Sequence, residues 1–137
     1  MNWLEGMPHQ PPMRLLDEVV TVAPDRAIAK RTTRADDFFF QGHFPGQPVV
    51  PAIILVELLA QTGGLAVASQ LGLEPGAPLQ LRVAGLGPFK FPAAAGVDVT
   101  LEATARLAGK FGRTFKIEGE VTADGVLVAS GSVILAG

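Results

Sequence analysis

Hydrophobic residues in this chain follow two different repeats, and each repeat predicts a different kind of element. The stretch from Ala52 onward is apolar on nearly every side and ends near Gly72, a residue suited to the end of a helix. A helix that is apolar all round is normally buried, and about 20 residues would extend roughly 30 Å. The pattern therefore predicts one long helix in the core.

Outside this helix, several stretches of the chain have the apolar and polar pattern that is typical of strands. Gly85, Gly87 and Pro88 are expected to interrupt one of these strands. Asp124-Gly125 separates the last two and is a strong hairpin signal. Together, about six strands and one long buried helix predict an α+β fold in which an antiparallel sheet wraps around the helix. The strands are expected at residues 13–22, 26–34, 79–86, 97–107, 113–122 and 126–135.

Composition is consistent with one domain and narrows the classes of partner. Residues 1–137 are expected to form a single domain with enough chain to bury a core. Only 18% of residues are charged and 48% are hydrophobic, which indicates apolar surface buried against a second copy of the chain. A net charge of −2 provides no basic excess for nucleic acid, and the absence of Cys excludes disulfides and thiolate metal sites.

The longest apolar run raises the question of a membrane. Glu57 and Gln61 interrupt it, so it is interpreted as a core helix and not as a membrane span. The N-terminal residues lack the basic start and apolar core of a signal peptide. A cytoplasmic location is therefore expected.

The loop before the helix holds the first candidate chemical group. Pro45 and Pro48 fix backbone φ angles, and Gly42 and Gly46 permit conformations that other residues resist. His43 is therefore expected to be held rigidly on an irregular segment. The other histidine, His9, lies in a proline-rich lead-in and is interpreted as structural.

Glu57 is the second candidate, because it lies on a helix that has little contact with solvent. A buried carboxylate must be paired, or protonated with a raised pKa. Gln61 lies four residues later on the same face and is a possible partner. His43 and Glu57 would make an acid/base pair. The competing interpretation is a simple core helix in which Glu57 pairs with Lys90 or Arg82.

A longer sequence motif, from His43 to Gln61, favours the interpretation of His43 and Glu57 as an acid/base pair. With its fixed spacing, it resembles the signature of the 3-hydroxyacyl-(acyl carrier protein) dehydratases of fatty-acid synthesis, the FabZ type. These proteins have the hotdog fold, which matches the predicted order of elements. The residues that carry the resemblance are His43, Phe44, Pro45, Gly46, Pro48, Pro51, Glu57 and Gln61.

The resemblance implies removal of water from a 3-hydroxyacyl thioester, carried by acyl carrier protein or coenzyme A. His43 of one subunit would remove the C2 proton, and Glu57 of the other, or a water it holds, would protonate the departing hydroxyl. The Ala52 N–H at the helix start would stabilise the thioester oxygen, with Gln61 and Phe44 as further substrate-binding residues. No metal or cofactor is required, and the expected assembly is a homodimer or a trimer of dimers.

Three departures from the family pattern bear on function, and one of them is Phe38, which replaces a proline and would reshape the entrance for the acyl chain. Ala52 stands where the family usually has Gly, which matters only if that position needs a positive φ or a very close approach. Lys90 is the one base in a segment that is usually richer in Lys and Arg, and acyl carrier protein is acidic.

Three alternatives to the dehydratase remain. A hotdog acyl-CoA thioesterase and a non-catalytic acyl-thioester-binding module share the expected fold, and fold alone does not fix function. A bifunctional dehydratase/isomerase ranks lower, because it typically has Asp at the position of Glu57.

Overall fold

The computed structural model describes residues 3–137 and shows a six-stranded antiparallel sheet packed on one helix. In spatial order the strands are β1-β2-β4-β5-β6-β3. Two short 3₁₀ turns, Trp3–Gly6 and Phe38–Phe40, flank the first hairpin. The elements are β1 Glu18–Ala23, β2 Arg26–Thr32, α1 Ala52–Gln70, β3 Arg82–Lys90, β4 Thr100–Phe111, β5 Thr114–Ala123 and β6 Val126–Ala136.

Helix α1 confirms the prediction of one long core helix. It begins at Ala52 and ends at Gln70, and Gly72 follows in the left-handed region with φ 73°. By length and composition α1 is apolar enough to cross a membrane, but 67% of its most apolar window is buried inside the protein. It packs against five of the six strands, β1, β2, β4, β5 and β6, as a core helix does.

The strand predictions are correct in number and order but wrong at several boundaries. Strand β1 begins at Glu18, so residues 13–17 are irregular although the strand was expected to begin at residue 13. Strand β3 continues through Gly87 and Pro88 with register shifts, where an interruption was expected. A proline and bulges are tolerated there because β3 lies at the edge of the sheet. Strand β4 extends to Phe111, and the Asp124-Gly125 hairpin is confirmed.

The irregular segment before β1 is fixed by two buried side chains. The Gln61 side chain accepts a hydrogen bond from the Leu15 N–H at 2.9 Å. Arg31 Nη1 donates to the Leu15 carbonyl at 3.0 Å, and Arg31 Nη2 lies 2.8 Å from Asp37 Oδ1. Arg31 is buried although it is charged, because only 8% of it is exposed.

Helix and sheet approach closely at two glycines. A Cβ at Gly63 of α1 would lie 2.9 Å from the Ile117 side chain on β5. A Cβ at Gly119 of β5 would lie 2.8 Å from Leu59 Cδ1 and would overlap the Thr104 carbonyl oxygen. These contacts set the depth of α1 against the sheet, and so the position of every side chain on it.

We expect Gly119→Ala to lower the free energy of unfolding by about 1–3 kcal/mol, because overpacking displaces neighbouring backbone. Gly85→Ala is the matched control on an edge strand, where the nearest contact to a new Cβ is an ordinary 3.5 Å. Urea unfolding of the three proteins measures the difference. Equal midpoints and slopes for all three would contradict the close approach.

Candidate active site

His43 lies on a tightly closed loop between Phe40 and the start of α1. Its ring Nδ1 is 3.0 Å from the Val49 carbonyl oxygen, and the Val49 N–H donates to the His43 carbonyl at 2.9 Å. A carbonyl only accepts hydrogen bonds, so Nδ1 carries the proton and Nε2 keeps its lone pair. The loop thereby holds the ring in the tautomer that a general base requires.

Phe44 follows His43 through a cis peptide bond and stacks on its ring, with centroids 4.3 Å apart. Gly42 and Gly46 on either side have φ of 75° and 73°, which glycine adopts without strain. The Phe44 side chain is 56% exposed. The prediction of a rigid histidine loop is thus supported, with an aromatic residue left on its surface.

Glu57 lies in the second turn of α1 and has two nitrogen neighbours. Gln61 Nε2 donates to Glu57 Oε2 at 2.9 Å. His9 Nε2 lies 3.4 Å from the same oxygen, a longer contact. Among the described contacts, neither Lys90 nor Arg82 forms an ion pair with Glu57, so the simple core-helix pairing is not observed.

Opposing effects set the pKa of Glu57. Burial raises this pKa, but the hydrogen bonds from His9 and Gln61, together with the His9 charge, lower it further than burial raises it. The net pKa lies below the usual carboxyl value. Glu57 is therefore an ionised, hydrogen-bonded carboxylate at neutral pH, which is the paired state and not the protonated one.

Gln61 is buried and uses both ends of its amide. Its oxygen accepts from the Leu15 N–H, and its nitrogen donates to the Met13 carbonyl at 2.8 Å as well as to Glu57. The predicted contact to Glu57 is therefore present. Because its amide hydrogens already have acceptors, Gln61 orients the carboxylate and holds the chain segment beside it.

His9 is the residue that the sequence reasoning undervalued. It was interpreted as structural, yet it lies against Glu57. Nothing in the hydrophobic pattern indicates this contact, because His9 lies in an irregular proline-containing segment far from Glu57 in sequence. The available signal was local, because prolines fix the backbone beside His9 as they do beside His43.

A cavity of about 310 Å³ extends from this cluster between α1 and the N-terminal segment. Its walls are mainly apolar, and Arg82 supplies a further charged group at the lining. His43 and Phe44 are not among the described lining residues, so one copy of the chain brings Glu57, Gln61 and His9 together without His43. Other lining residues include Trp3, Met7, Gly64, Leu65, Leu79 and Leu81.

Ala52 is the first residue of α1, and its φ is not positive. The Ile54 and Leu55 N–H groups both bond to the Pro51 carbonyl, at 2.9 and 3.4 Å, and no acceptor is described for the Ala52 N–H. Ala in place of Gly therefore causes no backbone strain. In the part of the chain that the structure describes, no group of three or more His, Asp or Glu residues could hold a metal ion.

We expect Gln61→Leu to lower the free energy of unfolding by about 2 kcal/mol, because the Leu15 N–H and the Met13 carbonyl lose their partner. The Gln61→Leu substitution should also raise the pKa of Glu57, because one of the hydrogen bonds that oppose the effect of burial is lost. In the wild-type protein, Glu57 stabilises the fold at pH values above the ordinary carboxyl pKa. This contribution to stability is lost as pH falls through the lowered pKa of Glu57. The acid-induced loss should shrink in the variant.

Unfolding from neutral to acid pH and carboxyl NMR titration measure both effects. Gln70→Leu, at the exposed end of the same helix, is the control. An unchanged Glu57 titration in Gln61→Leu would show that this hydrogen bond does not hold the carboxylate.

Comparison with known proteins identifies relatives over nearly the whole chain. The FabA-like domain family model matches residues 7–132. The 3-hydroxyacyl-[acyl-carrier-protein] dehydratase FabZ of Streptococcus sanguinis is 33% identical over 132 residues, which cover 96% of this chain and 92% of that protein. FabZ of Streptococcus agalactiae gives the same identity and coverage.

Solved structures confirm the hotdog fold. A chain of the dehydratase heterocomplex ApeI:P from Xenorhabdus doucetiae superposes with a TM-score of 0.83 at 18% identity, over 99% of this chain and 90% of that one. The PaaI protein of E. coli gives 0.67 at 16% identity, over 88% and 82%. At such low identity these structures establish the fold alone. The family model and the sequence relatives together show that this chain belongs to the FabA-like family. It resembles the streptococcal FabZ dehydratases along almost its entire length.

Proposed function

We propose that this protein is a 3-hydroxyacyl-(acyl carrier protein) dehydratase of fatty-acid biosynthesis, a hydro-lyase that forms trans-2-enoyl thioesters. The observation that carries the proposal is the Glu57 carboxylate, which is held by Gln61 and His9 on the wall of an apolar cavity. An acyl chain is apolar and would occupy such a cavity, with its polar C3 end near the carboxylate.

His43 removes the C2 proton in this proposal. Its Nδ1–H is committed to the Val49 carbonyl, so the lone pair on Nε2 is the basic site. As the proton leaves, negative charge develops on the thioester oxygen. The Ala52 N–H at the start of α1 stabilises that charge with the helix dipole, a donor that is typically worth ~3 kcal/mol.

Glu57 acts at C3, the carbon from which the hydroxyl group leaves. The 3-hydroxyl leaves as water only after it gains a proton, which comes from the small fraction of Glu57 that is protonated at neutral pH. The proton that His43 took from C2 then passes through solvent to the Glu57 carboxylate, which restores both groups. A lowered pKa makes the protonated carboxyl a stronger acid and reduces the fraction that is protonated at neutral pH. The C–O bond breaks as the C2–C3 double bond forms, so no redox cofactor is involved.

A complete site needs two copies of the chain in this proposal, because His43 does not line the cavity of its own Glu57. Exposed apolar residues support pairing: Ile53 is 73% exposed at the start of α1, and Leu86 is 61% exposed on edge strand β3. Pairing buries these side chains and brings the His43 loop of one copy to the cavity of the other.

The acyl group reaches the site on the phosphopantetheine arm of acyl carrier protein, with coenzyme A as the smaller carrier. Arg82 and Lys90 are exposed at the two ends of β3 and provide positive charge for an acidic carrier. A cytoplasmic location fits this substrate.

We expect His43→Ala and Glu57→Gln each to lower turnover by about 10²–10⁴-fold, because each removes a positioned acid or base. The assay mixes 3-hydroxyacyl thioesters, on carrier protein and on coenzyme A, with the protein and follows enoyl absorbance and free thiol together. Glu74→Gln, on an exposed loop, is the control. Thiol release without enoyl would assign a thioesterase, and binding without either product would assign a non-catalytic module.

Mixing the two inactive variants tests the shared site. Random pairing of equal amounts of His43→Ala and Glu57→Gln chains should restore about a quarter of wild-type turnover, because half the dimers are mixed and each has one intact site. Each variant mixed with itself is the control. Failure to recover activity, with mixed dimers shown by native mass spectrometry, would place both residues of a site on one chain.

A further inference from the structure

We propose that His9 is a positioning residue for Glu57. Together, His9 and Gln61 contact one oxygen of the Glu57 carboxylate and leave the other oxygen to contact the substrate. This inference rests on the proposed function. It begins from the observation that both nitrogen neighbours, His9 Nε2 at 3.4 Å and Gln61 Nε2 at 2.9 Å, approach the same atom, Glu57 Oε2. No contact is described for Oε1.

The buried side of the His9 ring decides which nitrogen carries the proton. Its Nδ1 is inaccessible to solvent and has no hydrogen-bond partner among the residues that the structure describes. A buried N–H without an acceptor is rarer and more costly than an acceptor without a donor. Nε2 therefore carries a proton in the neutral ring as it does in the charged one, so this N–H faces Glu57 Oε2 and His9 is a donor to the carboxylate.

Few other charges surround this contact. Of the residues that line the cavity, the titratable or charged ones are His9, Glu57 and Arg82, and Arg82 forms no described ion pair with Glu57. Gln61 has already divided its hydrogen bonds among three groups. His9 is thus the second group that limits rotation of the carboxylate, and its N-terminal segment forms part of the cavity wall.

Two donors on Oε2 fix the direction of the lone pairs on Oε1. A single donor would leave the carboxylate free to turn about its last torsion, which is broad for Glu. Long hydrogen bonds in unliganded sites commonly shorten when substrate binds. The 3.4 Å contact is therefore suited to tighten when the 3-hydroxyl, or a water beside it, binds at Oε1.

The test compares His9→Phe, which keeps a ring without a donor, with His9→Gln, which returns an N–H donor near the position of Nε2. We expect His9→Phe to lower kcat by about 10–100-fold with a smaller change in KM, as loss of a hydrogen bond to a charged group predicts. The limb of the pH profile that belongs to Glu57 should move to higher pH, and His9→Gln should restore most of the rate.

Two further measurements separate positioning from structure. In a Glu57→Gln background, His9→Phe should change the residual turnover less than about twofold, since its effect passes through the carboxylate. Carboxyl NMR titration of Glu57 needs no substrate and should show a raised pKa in His9→Phe. His9→Leu replaces His9→Phe if the latter does not fold by circular dichroism.

An unmoved Glu57 titration, an equal loss of turnover in the Glu57→Gln background, or no rescue by His9→Gln would each overturn the inference. Failure of the dehydratase proposal has a different signature, which is the absence of enoyl product from the wild-type protein itself. The NMR titration still tests the His9 contact in that case.

Discussion

The Gln61 side chain is the interaction on which the site depends. Through one amide it joins three parts of the molecule, the Glu57 carboxylate on its own helix, the Leu15 N–H and the Met13 carbonyl. Because a buried amide is costly unless its hydrogen bonds are made, the segment before β1 is held to α1 and cannot pair as a strand. The same contacts bring His9 and the neighbouring cavity wall to the carboxylate.

The helix can hold a charged group in a defined place only because its own position is fixed. Glycines at the contact between α1 and β5 permit an approach that any side chain would prevent, and Leu59 fills the space above Gly119. The buried pair of Arg31 and Asp37 adds a second fixed point, since Arg31 also donates to the Leu15 carbonyl. Packing thus fixes the helix, and polar contacts fix what lies beside it.

An ionised carboxylate beside an apolar cavity combines properties that usually exclude one another. Burial alone would favour the neutral acid, and two nitrogen neighbours reverse that preference. The histidine that completes the proposed chemistry is not among the described lining residues of this cavity, and it lies on a loop that fixes its tautomer. In the proposed function each chain supplies one half of two sites, and the exposed apolar residues of the His43 loop and β3 are where the halves would meet.

The sequence by itself determined the number, order and kind of the elements, because hydrophobic periodicity reports which faces are buried. It also singled out His43, Glu57 and Gln61, since proline, glycine and an interrupted apolar helix are local signals. Tertiary structure decided what local signals cannot contain. Residues 13–17 were expected in a strand but are held in an irregular segment by Gln61 and Arg31. Strand β3 passes through Pro88 because an edge strand needs fewer N–H donors. His9 meets Glu57 through contacts between residues far apart in the chain, which no periodicity records, because only the folded packing of helix and N-terminal segment brings them within hydrogen-bonding range.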